Sequence, residues 1–236
     1  SGPKMQKTVL VILACILSGC SITYDHTDPR RGLAPQSAAL VQASKSQGAD
    51  ANSPVLIRIF KQSNELELWR KTASGSFALV NTFKICAYSG DLGPKRRQGD
   101  RQAPEGIYEV RSSQLNYHSI RWLSLDTGFP NQRDKAEHAT GSAIMIHGGC
   151  DSAGCYAIED APMQDLFAAV RDALHAGQPS VQVQIFPFRL TEFNLLLNSR
   201  EKHVGYWREL KPAYDLFDTT KQPVRYEVKQ GKYRFF

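Results

Sequence analysis

Apolar and polar positions change their rhythm partway along the chain. From Val55 to His147 the apolar residues come in short runs or at every second position, broken by Gly, Pro, Asn and Asp clusters. Val55-Leu56-Ile57-Arg58-Ile59-Phe60, a turn at Ser63-Asn64, and Glu65-Leu66-Glu67-Leu68-Trp69-Arg70 predict a β-hairpin. Residues 77–87, 106–110, 120–125 and 143–147 predict further short strands. After Cys155 the period lengthens. Met163, Leu166, Phe167, Val170 and Leu174 recur at helical spacing, with Asp160 as a cap, Pro162 in the first turn and Gly177 as the stop. Val181-Gln182-Val183-Gln184-Ile185 returns to strand alternation. A second helix is predicted over 193–210 and a closing hairpin over 224–236 around Gln230-Gly231. The fold class is therefore mainly β with a few helices (α+β).

The N-terminal residues read differently. Residues 1–4 precede the first methionine and are set aside as an expression remnant. Lys7 and the run from Val9 to Leu17 have the proportions of a secretory signal, too short to span a bilayer at about 20 residues. Leu17-Ser18-Gly19-Cys20 resembles the lipobox of bacterial lipoproteins, which implies lipidation of Cys20; Ser21 suits outer-membrane sorting. Residues 21–52, rich in Ser, Ala, Gln, Asp and Gly, are expected to form a flexible tether. Residues 53–190 then form the main domain and 191–236 a C-terminal extension packed on it. The expected location is exported: periplasmic and anchored to a membrane through the N-terminal lipid.

An exported chain meets oxidising conditions, so cysteine use matters. Cys15 leaves with the signal and Cys20 carries lipid, leaving Cys86, Cys150 and Cys155. Pairing Cys86 with Cys150 frees Cys155; a Cys150–Cys155 disulfide would instead make that loop structural. Spacing leaves both open. The net charge of +6 is mild and suits an anionic wall and lipid surface. No motif indicates nucleic acid.

The candidate chemistry lies in Ile146-His147-Gly148-Gly149-Cys150-Asp151-Ser152-Ala153-Gly154-Cys155. A histidine ends a buried strand and a Gly-flanked cysteine follows in the next loop, the residue types of a cysteine nucleophile with its base. His147, Cys150 and Cys155 would also serve as the start of a zinc site, but no fourth ligand is placed, so no metal or cofactor is expected.

A strand ending in Ile-His-Gly followed by Ser-x-Gly-Cys resembles the catalytic signature of the L,D-transpeptidase (YkuD-type) family. Ile85-Cys86-Ala87-Tyr88-Ser89-Gly90, the segment Leu92 to Asp100, Pro104-Glu105-Gly106, Gly128-Phe129-Pro130-Asn131, Gly154-Cys155-Tyr156-Ala157 and Gly177-Gln178-Pro179-Ser180-Val181-Gln182-Val183 are similar to its YafK branch. The likeness covers roughly residues 53–220. It implies a β-sandwich-like catalytic domain acting on diaminopimelate-containing peptidoglycan through a cysteine acyl-enzyme. The branch is also associated with an amidase that releases an outer-membrane lipoprotein from that diaminopimelate. Two departures stand out. Many members carry Ser-His-Gly-Cys and then Cys-x-Arg, whereas this chain has Ser152-Ala153-Gly154-Cys155-Tyr156-Ala157, without that Arg as a carboxylate anchor. The His147-to-Cys155 interval is also short, as suits the YafK branch.

The expected roles follow. Cys155 attacks a diaminopimelate carbonyl and His147 handles the proton. Backbone N–H groups of Gly154 and Cys155 receive the oxyanion, and Ser152 orients the histidine. Lys95, Arg96 and Arg97 grip substrate carboxylates, while Tyr88, Phe129, Asn131 and Tyr156 line the groove. Water attacking the thioester makes the protein an amidase; an amine makes it an L,D-transpeptidase that cross-links peptidoglycan or attaches protein to it. A peptidoglycan-binding lipoprotein without catalysis is the alternative from another class.

Overall fold

The computed structural model describes residue 28 and residues 30–236; the signal-type segment, Cys20 and Ser21 lie outside the described residues. Helix α1 (Ala38–Ser46) precedes an antiparallel meander of β1 (Val55–Phe60), β2 (Glu65–Lys71) and β3 (Phe77–Lys84). Shorter elements follow: β4 (Ala87–Tyr88), β5 (Gly106–Val110), β6 (Leu115–Asn116), β7 (Ser124–Asp126), α2 (Gln132–Ala136), β8 (Met145–His147) and β9 (Tyr156–Ala157). The chain ends with α3 (Asp160–His175), β10 (Val181–Phe186), α4 (Glu192–Leu197), α5 (Val204–Thr220) and the hairpin β11 (Tyr226–Lys229) and β12 (Lys232–Phe235). No helix of the described residues is long and apolar enough to cross a membrane.

Two five-stranded sheets result. The larger runs β3-β2-β1-β10-β5, with β1 and β10 parallel at its centre. The smaller runs β4-β9-β8-β7-β6, with β8 and β9 parallel. Ile57, Ile59, Val183 and Ile185 of the first sheet share a core with Leu125, Ile146 and Tyr156 of the second and with Leu166, Phe167 and Val170 of α3. The first sheet's other face carries Leu56, Phe60 and Phe186 against Trp207, Leu210 and Phe217 of α5. Both central strands are thus buried on two sides. That explains the unbroken run in β1. Gln182 and Gln184 of β10 are buried as well; Gln184 donates to Gln182, which in turn exchanges hydrogen bonds with the Val224 backbone.

Four expectations change. Residues 31–52 are no free tether. Leu40 and Ser44 of α1 are buried, Arg171 of α3 donates to the carbonyls of Gly32 and Ala34 (2.7 and 3.0 Å), and Gln36 bridges Asp172 and Arg70. Polar side chains pin a segment whose composition offers few apolar anchors. Residues 191–236 cover one whole face of the larger sheet, with Trp207 and Tyr214 buried, so 190 marks no edge of a core. The helix expected over 193–210 breaks into α4 and α5. Asp160 also lies inside α3, whose N-cap is Glu159.

Candidate active site

Parallel pairing of β8 with β9 sets Ile146 beside Tyr156 and His147 beside Ala157. Side chains alternate across a strand. Ile146 and Tyr156 therefore point into the core, and His147 and Cys155 share the opposite face. Ser124, opposite His147, and Asp126, opposite Met145, extend that face across β7. A cleft of about 490 Å³ opens on it, lined by Met145, His147, Ser152 and Cys155 and walled by residues 118–121.

Cysteine pairing resolves in one direction. Cys86, just before β4, is bonded to Cys150 across 64 residues, and Cys155 is the free thiol among the described residues. The disulfide removes Cys150 from any thiolate ligand set. It also fastens the loop between His147 and Cys155 to the β3–β4 connection. Asp160 fastens the same loop from α3 by accepting from the Gly149 N–H at 2.8 Å. Gly148 is needed for space: a Cβ there would stand 2.5 Å from the Asp160 carboxylate and 2.8 Å from the Arg121 carbonyl.

His147 is buried, and its Nδ1 lies 2.6 Å from the Gly148 carbonyl. A carbonyl only accepts, so Nδ1 carries the proton and Nε2 keeps its lone pair. Burial pulls the imidazole below its ordinary pKa; the Gly148 bond opposes this and the Arg121 charge adds to it. Burial likewise pushes the Cys155 thiol up. The Met145 N–H, 3.4 Å from the sulfur, favours the thiolate, as do Lys95 and Arg121, whereas Asp126 opposes it. Both shifts favour the uncharged forms, a neutral thiol and a neutral imidazole lining one cleft. Such a pair can move a proton as an acyl acceptor arrives, without a standing thiolate–imidazolium pair. The sulfur also lies 3.8 Å from the carbonyl of Ala143. Ala143 itself has a left-handed φ of 56°, so the strand expected from 143 begins at Met145.

The other expected residues separate. Ser152 does not meet the imidazole: its hydroxyl donates to the Cys155 carbonyl (2.7 Å) and accepts from the Gly154 N–H (3.2 Å), holding its own loop. The Gly148 carbonyl orients the ring instead. The Gly154 N–H, expected as an oxyanion donor, is engaged by Ser152. Tyr156 is fully buried with its hydroxyl on the Pro104 carbonyl at 2.6 Å. Phe129 is buried, and Asn131 caps α2 while bonding the Ile107 carbonyl and the Tyr233 hydroxyl. Lys95 is buried on Asp100, Arg96 pairs with Glu137 at 3.0 Å, and Arg97 is exposed outside the cleft lining. Tyr88 packs on Tyr156. None of these seven lines the cleft. Arg121 does, and it pairs with Asp151, which lines the cleft as well. It sits in a run expected as strand; Trp122 turns left-handed there, at φ 68°, and swings 118–121 into a wall. No single-sequence pattern announces that turn. Among the described residues no group of three His, Cys, Asp or Glu side chains is placed to hold a metal.

Comparison with known proteins identifies the family. The YkuD family profile, an L,D-transpeptidase catalytic domain, matches residues 51–185. The chain is 39% identical over 229 residues to "Putative L,D-transpeptidase YafK" of Escherichia coli strain K12, covering 97% of this chain and 90% of that protein. This protein belongs to the L,D-transpeptidase family, whose members are enzymes of the cell wall. Among solved structures, the helical cell shape determining protein Pgp2 of Campylobacter jejuni aligns with TM-score 0.46 and 15% identity, over 80% of each chain. Bd1075 of Bdellovibrio bacteriovorus aligns with TM-score 0.39 and 19% identity, over 72% of this chain and 58% of that one.

Proposed function

We propose that the protein is a cysteine-dependent peptidoglycan amidase, hydrolysing the bond between diaminopimelate and a lysine of a wall-linked outer-membrane lipoprotein. One observation carries this reading: the free thiol of Cys155, just before β9, and the imidazole of His147, at the end of β8, line one cleft, while the remaining cysteines of the described domain are locked together. As a carbonyl binds, the Cys155 proton passes to His147 Nε2 and the sulfur adds to the carbon. The tetrahedral oxyanion is held by backbone N–H groups, with that of Cys155 as the first candidate. His147 returns the proton to the departing lysine amine, leaving a thioester. Water, deprotonated by His147, then releases diaminopimelate as the free acid and restores the thiol.

The name of the Escherichia coli relative favours a second reading, in which an amine rather than water takes the acyl group. One digest separates the two. Purified protein incubated with lipoprotein-linked sacculi should release the lipoprotein and leave diaminopimelate-ended muropeptides, with no release by Cys155→Ala. Accumulation of diaminopimelate–diaminopimelate cross-links establishes transfer instead. Release that persists in full with Cys155→Ala refutes the cysteine mechanism, and neither release nor cross-linking by the wild-type protein leaves only a wall-binding protein. A lipid on Cys20 would keep the domain in the periplasm within reach of the wall.

A further inference from the structure

We infer that Arg121 is the carboxylate anchor of the cleft, binding the second, free carboxylate of the diaminopimelate residue whose other carboxyl group reacts at Cys155; this rests on the amidase reading above. The Cys-x-Arg position of many relatives is Ala157 here, buried and paired with Ala87 inside the sheet, so no cation can act from that site. Lys95 and Arg96 are committed to Asp100 and Glu137. Arg121 is the single Arg or Lys lining the cleft among the described residues.

Its backbone is built into the same unit as the histidine. The Arg121 N–H donates to the Ser119 hydroxyl at 3.1 Å, its carbonyl abuts Gly148, and the Gly148 N–H returns to the Leu123 carbonyl at 3.2 Å. The guanidinium is close enough for its charge to act on both His147 and Cys155. In the free protein it pairs with Asp151, and that pair is open to water, with side chains 40% and 62% exposed. Such exposed pairs add little stability and exchange readily. An incoming carboxylate can displace Asp151 and take the planar fork of the guanidinium bidentately, which a lysine cannot reproduce. Asp151 is then a placeholder: it occupies the guanidinium until a carboxylate exchanges for it and gives no advantage to ligands without an anion. Diaminopimelate fits because it keeps one free carboxylate after the other is consumed in the amide.

The test is calorimetric binding of two synthetic wall tripeptides ending in diaminopimelate, one with the second carboxyl free and one with it amidated, to the Cys155→Ala protein. The free acid should bind at least about tenfold tighter. Adding Arg121→Gln should abolish that difference, Arg121→Lys should restore only part of it, and Asp151→Asn should tighten the free acid several-fold without helping the amide. Circular dichroism melts report whether each variant is folded. Equal binding of both tripeptides, a preference that survives Arg121→Gln in a folded protein, or no measurable binding of either overturns the anchor. The sacculus digest runs alongside with active protein. Failure there with the tripeptide preference intact refutes the amidase reading alone.

Discussion

Two protons decide how Cys155 can react. Burial raises the thiol and lowers the imidazole, so near neutral pH neither is charged and the proton moves only when an acyl group is in place. Iodoacetamide reads the thiolate directly. Its rate with Cys155 should still be climbing at about pH 9, above the ordinary thiol value; saturation near pH 6 would reveal a standing ion pair and contradict this reading. Turnover should instead rise as His147 loses its proton, with a midpoint below the ordinary imidazole value, then hold level through neutral pH. A second buried acid tests the fold in the same way. Burial pushes Asp134 up to about 6, against the opposing bonds from Asn131 and Tyr108 and the nearby Arg133, while the unfolded chain titrates at 3.8. Between those values the native state holds a proton that the unfolded chain has released. Its contribution to stability is therefore greatest at acid pH and falls away as pH rises from about 4 to about 6. Denaturant unfolding followed across that interval should show the slope, and Asp134→Asn should flatten it.

At the level of elements, the site is held by polar bonds that hydrophobic patterning does not display. Lys61, at the end of β1, and Glu105, just before β5, form a fully buried pair at 3.1 Å. Lys61 also donates to the carbonyls of Asp91 and Ala103, and Glu105 accepts from the Gly93 N–H and the Trp207 indole. The pair joins the central sheet, the 91–103 loop and α5. Glu105→Gln leaves an ammonium buried without its counter-charge and should cost about 3–5 kcal/mol in urea unfolding; a loss below 1 kcal/mol would show that water reaches the pair. This is the physical content of the Pro104-Glu105-Gly106 motif, which the sequence presents only as a likeness. The same distinction governs what was legible. The β1–β2 hairpin, β5, β10, α3 and the terminal hairpin follow from apolar runs or periodic spacing bounded by turn residues. That His147 and Cys155 would meet in one cleft was legible because a strand end and the Gly-rich loop after it carry them. The groove residues were not. Tyr156, Phe129 and Asn131 look chemical in sequence, yet their polar atoms are consumed by Pro104, Ile107 and Tyr233 or their rings are buried, while Arg121 reaches the cleft only through an unforeseeable left-handed Trp122.

For the molecule as a whole, both ends of the described chain complete the core that holds the cleft, and truncation separates their contributions. A chain of residues 53–236 loses Leu40 from the main core and strips Arg171 of the Gly32 and Ala34 carbonyls, and Arg70 of Gln36, Asp50 and Ala51. Each buried donor left without a partner costs about 1–3 kcal/mol, and α3, which anchors Gly149 through Asp160, would loosen with it. This version should fold with a melting temperature lower by about 10 °C or more, taking about 2–4 °C per kcal/mol for a chain of this size. A chain of residues 53–190 faces a larger deficit. It uncovers Leu56, Phe60, Ile107 and Phe186 on the larger sheet and leaves Glu105 without Trp207 and Tyr206. Burial of each such side chain contributes about 1.5–3 kcal/mol, so the four together are comparable to the whole stability of a typical domain. It should bind a hydrophobic dye, show no cooperative melt and leave Cys155 open to alkylation at the rate of a free peptide. A cooperative transition in the 53–190 chain, with Cys155 still protected, would show that the C-terminal residues are an addition to the catalytic unit. Failure of that chain beside survival of 53–236 makes the C-terminal helices part of the unit that positions Cys155 and His147, with the N-terminal strap as its reinforcement.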